Sequence, residues 1–104
     1  MAFLYITEYA HTGEQGGDPV QCAFVPQNGP IAEQKIAIGG GSVSSSAFNT
    51  NTKLLRLHSD AICSILFGIT PVATVASGRM AANQTEYFFV QPGNGMSVAV
   101  IANT

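Results

Sequence analysis

Charged side chains are scarce in this sequence: Asp, Glu, Lys and Arg together make up 10% of its 104 residues, against about a quarter in ordinary globular proteins. The four basic residues, Lys35, Lys53, Arg56 and Arg79, are too few and too dispersed to track a phosphate backbone, so no nucleic-acid partner is expected. Tryptophan is absent and cysteine occurs only as Cys22 and Cys63. That wide spacing matches neither a zinc ribbon nor a C-x-x-C redox site. Two reduced, packed thiols are expected, with a disulfide geometrically open only if their strands lie side by side. No apolar run reaches the roughly 18 residues of a membrane-crossing helix. The opening MAFLYITEYA lacks the basic start and long apolar core of an export signal. The reading is therefore a soluble chain, neither exported by that route nor in contact with a membrane.

What covers such a surface is mostly uncharged. Ser, Thr, Asn and Gln supply 28 residues, 46% of the chain is hydrophobic and the mean hydropathy is positive, at +0.24. At 104 residues one hydrophobic core is the limit, so residues 1–104 read as a single domain. Much of the apolar material must then lie near the surface. With a net charge of only −2, a free monomer would tend to associate, so an oligomer or a larger assembly is expected.

Helical periodicity is missing as well. Every candidate stretch is broken by Gly or Pro or is dominated by β-branched and aromatic residues. Short strands fit: AFLYITEY at 2–9, an alternating run from Val20 to Val25, QKIAI at 34–38 before three glycines, and a weaker SVSSSAF at 42–48. KLLRLH at 53–58 and AICSILF at 61–67 follow, separated by Ser59 and Asp60 as a tight connection or as a bulge within one long strand. Residues 68–84 form the longest irregular stretch, expected to run over the surface from one sheet to the other. TEYFFVQ at 85–91 and MSVAVIA at 96–102 flank Pro92-Gly93-Asn94-Gly95, which predicts a hairpin. The fold class that follows is all-β: a single-domain β-sandwich, jelly-roll-like, with seven or eight short antiparallel strands.

Catalytic constellations are weak. His11 and His58 titrate near neutrality, and His58 would share a strand face with Asp60, near Ser59 and Ser64. No G-x-S-x-G elbow accompanies them. Glu8, His11, Glu14 and Asp18 cluster in sequence, yet solvated loop charges explain them better than a cation site, and no H-x-H pair of the cupin type occurs. Gly39-Gly40-Gly41-Ser42 lacks the spacing and lysine of a phosphate loop. Asn83-Gln84-Thr85 matches a glycosylation sequon, which carries no weight without export. The sequence points to no catalytic residue, no metal and no cofactor, and to a protein that is not an enzyme.

Most aromatic residues sit on expected strands, where core packing is their default use. Two strands are apolar on both faces. Tyr87 and Phe89 oppose Phe88 and Val90, and Phe3 and Tyr5 oppose Leu4 and Ile6. In a thin sandwich this implies that an outer face is covered, by another chain or by loops of the same one. Phe3, Tyr5, Tyr9, Tyr87 and Phe89 are the candidate protein-interface residues.

The half of the chain from Lys53 onward, through LLRLHSDAICSILFG, TPVAT, TEYFFVQPG and MSVAVIA, resembles a class of small proteins of tailed bacteriophages and prophages. The shared pattern is an Arg-containing strand, an apolar strand ending in F-G, a Pro/Ala/Thr loop, an acidic-aromatic strand and a P-G turn. The resemblance implies a virion component, made in the bacterial host cytoplasm and similar to jelly-roll cement or decoration proteins. Such proteins bind the major capsid protein or other virion subunits and staple neighbours together, and a homo-oligomer is expected. The first strand and the glycine-rich loop after it are the segments expected to reach a neighbour, by adding a strand to its sheet edge. The rival readings are a carbohydrate- or receptor-binding module of a phage tail or fibre, using Tyr5, Tyr9 and Tyr87, and an enzyme in which His58, Asp60 and His11 converge.

Overall fold

The computed structural model describes residues 2–10 and 30–103. The expected strand at 20–25 and the loop at 11–19 lie outside the described residues. Among the described residues there are eight strands and no helix: β1 (Phe3–Tyr9), β2 (Ala32–Ala37), β3 (Val43–Ser44), β4 (Leu54–Ser59), β5 (Cys63–Gly68), β6 (Gly78–Met80), β7 (Gln84–Phe89) and β8 (Ser97–Ala102). They form two antiparallel sheets, β2-β1-β4-β7 and β3-β8-β5-β6. The all-β sandwich read from the sequence is the fold.

Inward positions alternate along each strand, as the two-residue period requires. Leu4 and Ile6 of β1, Leu55 and Leu57 of β4 and Ile36 of β2 meet Cys63 and Ile65 of β5, Met80 of β6 and Val98 and Val100 of β8 in one interlayer core. Each such side chain, fully buried, is worth about 1.5–3 kcal/mol in apolar transfer. Phe67 and Phe88 close one end of the core across the sheets, their ring centroids 5.0 Å apart.

The pairing is nested. β5 pairs with β6, β4 with β7 and β3 with β8, which is a long antiparallel ribbon wrapped into two layers, the pattern of a jelly roll. Completing it requires a strand after β8 to pair with β2. β1 takes that place, lying between β2 and β4 and paired to both. The ends of the described chain accordingly meet at the turn between β4 and β5. The Phe3 N–H donates to Asp60 Oδ2 at 3.3 Å, and the Asn103 N–H donates to the Ile62 carbonyl at 3.2 Å.

Four expectations need correction. β7 and β8 are not a hairpin: they lie in different sheets, and the 90–96 connection arches between layers because Phe88 and Val98 must both face the core. β4 and β5 are likewise in separate sheets, so of the two readings of Ser59 and Asp60 the bulge within one long strand fails and the short connection holds. The weak fourth strand shrinks to Val43–Ser44. β1 is interior to its sheet, so its edges are already occupied and cannot extend a neighbour's sheet in this arrangement.

The stretch 68–84 leads from β5 in the second sheet to β7 in the first, as expected, but residues 69–77 stay on the second sheet. They form a strap over the outer face of the second sheet, crossing β8 to its edge strand. The Ser44 hydroxyl donates to the Pro71 carbonyl at 3.0 Å, and the Ala73 N–H donates to Ser42 Oγ at 2.9 Å. On the return, the Val75 carbonyl accepts from Asn103 Nδ2 at 3.1 Å. Beneath the strap, Ser64 of β5 and Ala99 of β8 are fully buried although both face outward. Here loops of the same chain cover an outer face, and Gly78–Met80 at the end of the stretch is a strand.

Candidate interaction surface

The outer face of the first sheet is different in kind. Cross-strand partners in an antiparallel sheet share a face, so the register fixes its composition row by row. One row runs Lys35, Tyr5, His58, Thr85; the next Glu33, Thr7, Arg56, Tyr87; the next Tyr9, Leu54, Phe89. Phe3 and Ala37 stand beyond the first row. All five aromatic residues singled out from the sequence, Phe3, Tyr5, Tyr9, Tyr87 and Phe89, are thus on one face of one sheet. Phe89 is 57% exposed and Tyr5 38%, while Phe3 and Tyr9 are half-buried.

Local contacts order this face. The Lys35 ammonium sits 4.5 Å from the centroid of the Phe3 ring, a cation–π contact. The rings of Phe3 and Tyr5 tilt against each other at 6.3 Å, and those of Tyr5 and His58 at 6.4 Å. Nδ1 of His58 hydrogen-bonds the Thr85 hydroxyl at 2.8 Å, fixing the imidazole along the sheet. Leu54 is fully buried between its neighbours Tyr9 and Phe89, although it points away from the core. Beside Phe89 a cleft of about 250 Å³ opens, lined by Phe67, Phe88, Phe89, Val90, Gln91 and Met96. Arg56 and Lys35, half of the chain's four cations, also lie here. Sequence reasoning counted them as dispersed, although the alternation from Leu54 through Arg56 to His58 puts Arg56 on this side.

The catalytic alternatives separate in space. His58 bonds Thr85 and lies on the outer face, whereas Asp60 lies past the end of β4 and accepts the Phe3 N–H. Ser59 Oγ donates to the Ala81 carbonyl, and Ser64 is buried in the other sheet. His11 lies outside the described residues, as do Glu14 and Asp18. Glu8 is no surface ligand. It is 1% exposed, and its Oε1 accepts from the Asn49 N–H and the Thr52 hydroxyl, both at 2.7 Å. Gln34 Nε2 reaches Oε2 at 3.4 Å. Among the described residues no cluster of His, Cys, Asp and Glu could hold a metal ion, and no helix is long and apolar enough to cross a membrane. Cys63 is a free, buried thiol. Burial pushes it above its ordinary value; a hydrogen bond with Ser59 opposes the shift and the Glu86 charge adds to it.

A second apolar feature escaped the sequence reading. The strap presents Ile69, Val72 and Val75 to solvent at 72%, 68% and 63% exposure. Only its lack of any charge from Gly68 to Gly78 signalled it. No family model, curated protein or solved structure matches the chain.

Proposed function

We propose that this chain is a structural virion protein, a cement or decoration protein of a tailed bacteriophage. In this reading it staples capsid subunits through the outer face of the β2-β1-β4-β7 sheet. The observation that carries it is the gathering of Phe3, Tyr5, Tyr9, Tyr87 and Phe89 around Arg56 on one sheet face. Tyr, Phe and Arg are enriched in protein interfaces, and a central Arg among aromatic rings is the composition of a binding hot spot. The low charge of the chain and the resemblance of its second half to phage proteins support the same reading. Among the described residues the strap covers the outer face of the opposite sheet, and no comparable strap crosses the aromatic face.

Rebinding tests it. Particles assembled without this gene product are mixed with purified chain and sedimented. Saturable co-sedimentation is expected, falling at least tenfold for Tyr5→Ser with Phe89→Ser while the variant's melting remains cooperative. Absence of the chain from purified virions, or undiminished binding of the double variant, would refute the proposal.

A second reading is favoured by one specific arrangement: Tyr5, Tyr9 and Tyr87 share their face with the hydrogen-bonding groups of His58, Thr85 and Arg56. Aromatic rings flanked by such groups suit a carbohydrate, as in a tail or fibre module. A glycan array separates the two: selective glycan binding abolished by Tyr5→Ser supports this second reading over the first.

A further inference from the structure

The loop that carries the chain from β7 to β8 holds an Asn-Gly step in an unusual state of freedom. Asn94 and Gly95 are both exposed. Among the described residues, neither the Asn94 side chain nor the Gly95 N–H has a hydrogen-bond partner. Gly95 adopts φ +67°, and a Cβ built on it would meet no atom within 4 Å, so nothing crowds its nitrogen. The other described asparagines differ. Asn49 Oδ1 accepts from the Asn51 N–H, Asn103 Nδ2 is engaged with Ser64 and Val75, and Asn51 and Asn83 are followed by Thr52 and Gln84.

We propose that Asn94 is a site of spontaneous deamidation in the folded protein. The Gly95 amide nitrogen gives its proton to solvent base and attacks Cγ of Asn94. A new N–Cγ bond forms, the bond from Cγ to the side-chain nitrogen breaks, and ammonia leaves with a proton from water. The resulting five-membered imide consumes one water. Opening at Cγ returns a normal backbone with aspartate at 94; opening at the backbone carbonyl routes the chain through the side chain as isoaspartate. Neither oxidant nor enzyme is required. Either product moves the net charge from −2 to −3. The new carboxylate lies in the loop that ends at Gln91 and Met96, two of the residues lining the phenylalanine cleft, so the reaction adds one negative charge at this end of the sandwich. The proposal is independent of the virion reading.

The test ages purified full-length protein in mildly alkaline and mildly acidic buffer, native and in urea. Peptides are then mapped with fragmentation that separates Asn94 from Asn83, Asn103 and Asn28, the last being in the chain's other Asn-Gly step and outside the described residues. Expected are aspartate and isoaspartate at 94, with isoaspartate in excess and faster formation in alkali. The native rate should fall within tenfold of the rate in urea, with Asn83 and Asn103 unchanged. Asn94→Gln should remove the part of the acidic form that maps to position 94, leaving any that maps to Asn28, while melting as the parent does. Position 94 remaining an amide in the native protein while it converts in urea would overturn the inference. So would conversion without any isoaspartate, since that bypasses the imide.

Discussion

Glu8 is the residue on which the first sheet's junction with the 45–52 connection turns. A buried carboxylate is tolerable only with its lone pairs occupied, and here a backbone N–H, a hydroxyl and an amide occupy them. Gln34 is committed elsewhere, its Oε1 accepting the Ser46 N–H at 3.0 Å. Glu8→Gln therefore sets one amide NH2 against another and removes the charge from two short hydrogen bonds. A loss of about 2 kcal/mol is expected in urea unfolding, in the range for hydrogen bonds to a charged group. Cys63 gives a pH-dependent counterpart. Its thiol is raised in the folded state, foremost by burial. Its contribution to stability is thus full below the unfolded thiol's value and is lost as pH rises through the folded one. Stability should fall through that alkaline window, and Cys63→Ala should flatten the fall, as read by urea midpoints across the pH series.

At the scale of elements, the strap is held by side chains in place of a backbone ladder. Ser42, Ser44 and Asn103 each fix one of its backbone groups, and Ala99 and Ser64 are dry beneath it. Ser42→Ala with Asn103→Ala leaves the Ala73 N–H and the Val75 carbonyl without these partners. At about 0.5–1.5 kcal/mol per hydrogen bond, the pair should cost about 2 kcal/mol. Hydrogen exchange should accelerate at Ala73 by tenfold or more while β1 and β4 amides change only with global stability. Uniform acceleration across both sheets would mean that the strap is integral to the core and not laid over it.

At the scale of the molecule, the nested pairing makes the chain a jelly roll whose closing strand comes first. The ends of the described chain are both bonded to the segment Asp60–Ile62, so joining them would restore the usual strand sequence. A permuted chain that begins at Val20, runs to Asn103, crosses a short glycine-serine linker and ends with residues 2–19 keeps every pair among the described strands. It should melt cooperatively within about 2 kcal/mol of the parent, since changing loop length costs only fractions of a kcal/mol per doubling. A permutant lacking cooperative melting and the parent's near-ultraviolet signal would show that the closing strand is not in the eighth-to-second position.

The fold class, the strand-by-strand alternation and the shared face of Tyr87 with Phe89 and of Phe3 with Tyr5 were legible in the sequence, because side-chain direction in a strand is set locally, residue by residue. Leu4 and Tyr5 declare opposite faces wherever β1 ends up. Which strands are neighbours is a different kind of information. Pro92-Gly93-Asn94-Gly95 is as good a hairpin loop as it is an arch between layers, and only the need to bury Phe88 and Val98 against each other's sheets selects the arch. The same holds for Arg56, one cation among four in the sequence and the centre of an aromatic face in the sandwich. Glu8 shows it as well: an acid that reads as solvated, buried because its donors come from positions about 26 to 44 residues away. Local stereochemistry determined what each strand shows on its two sides, and long-range burial decided which sides meet.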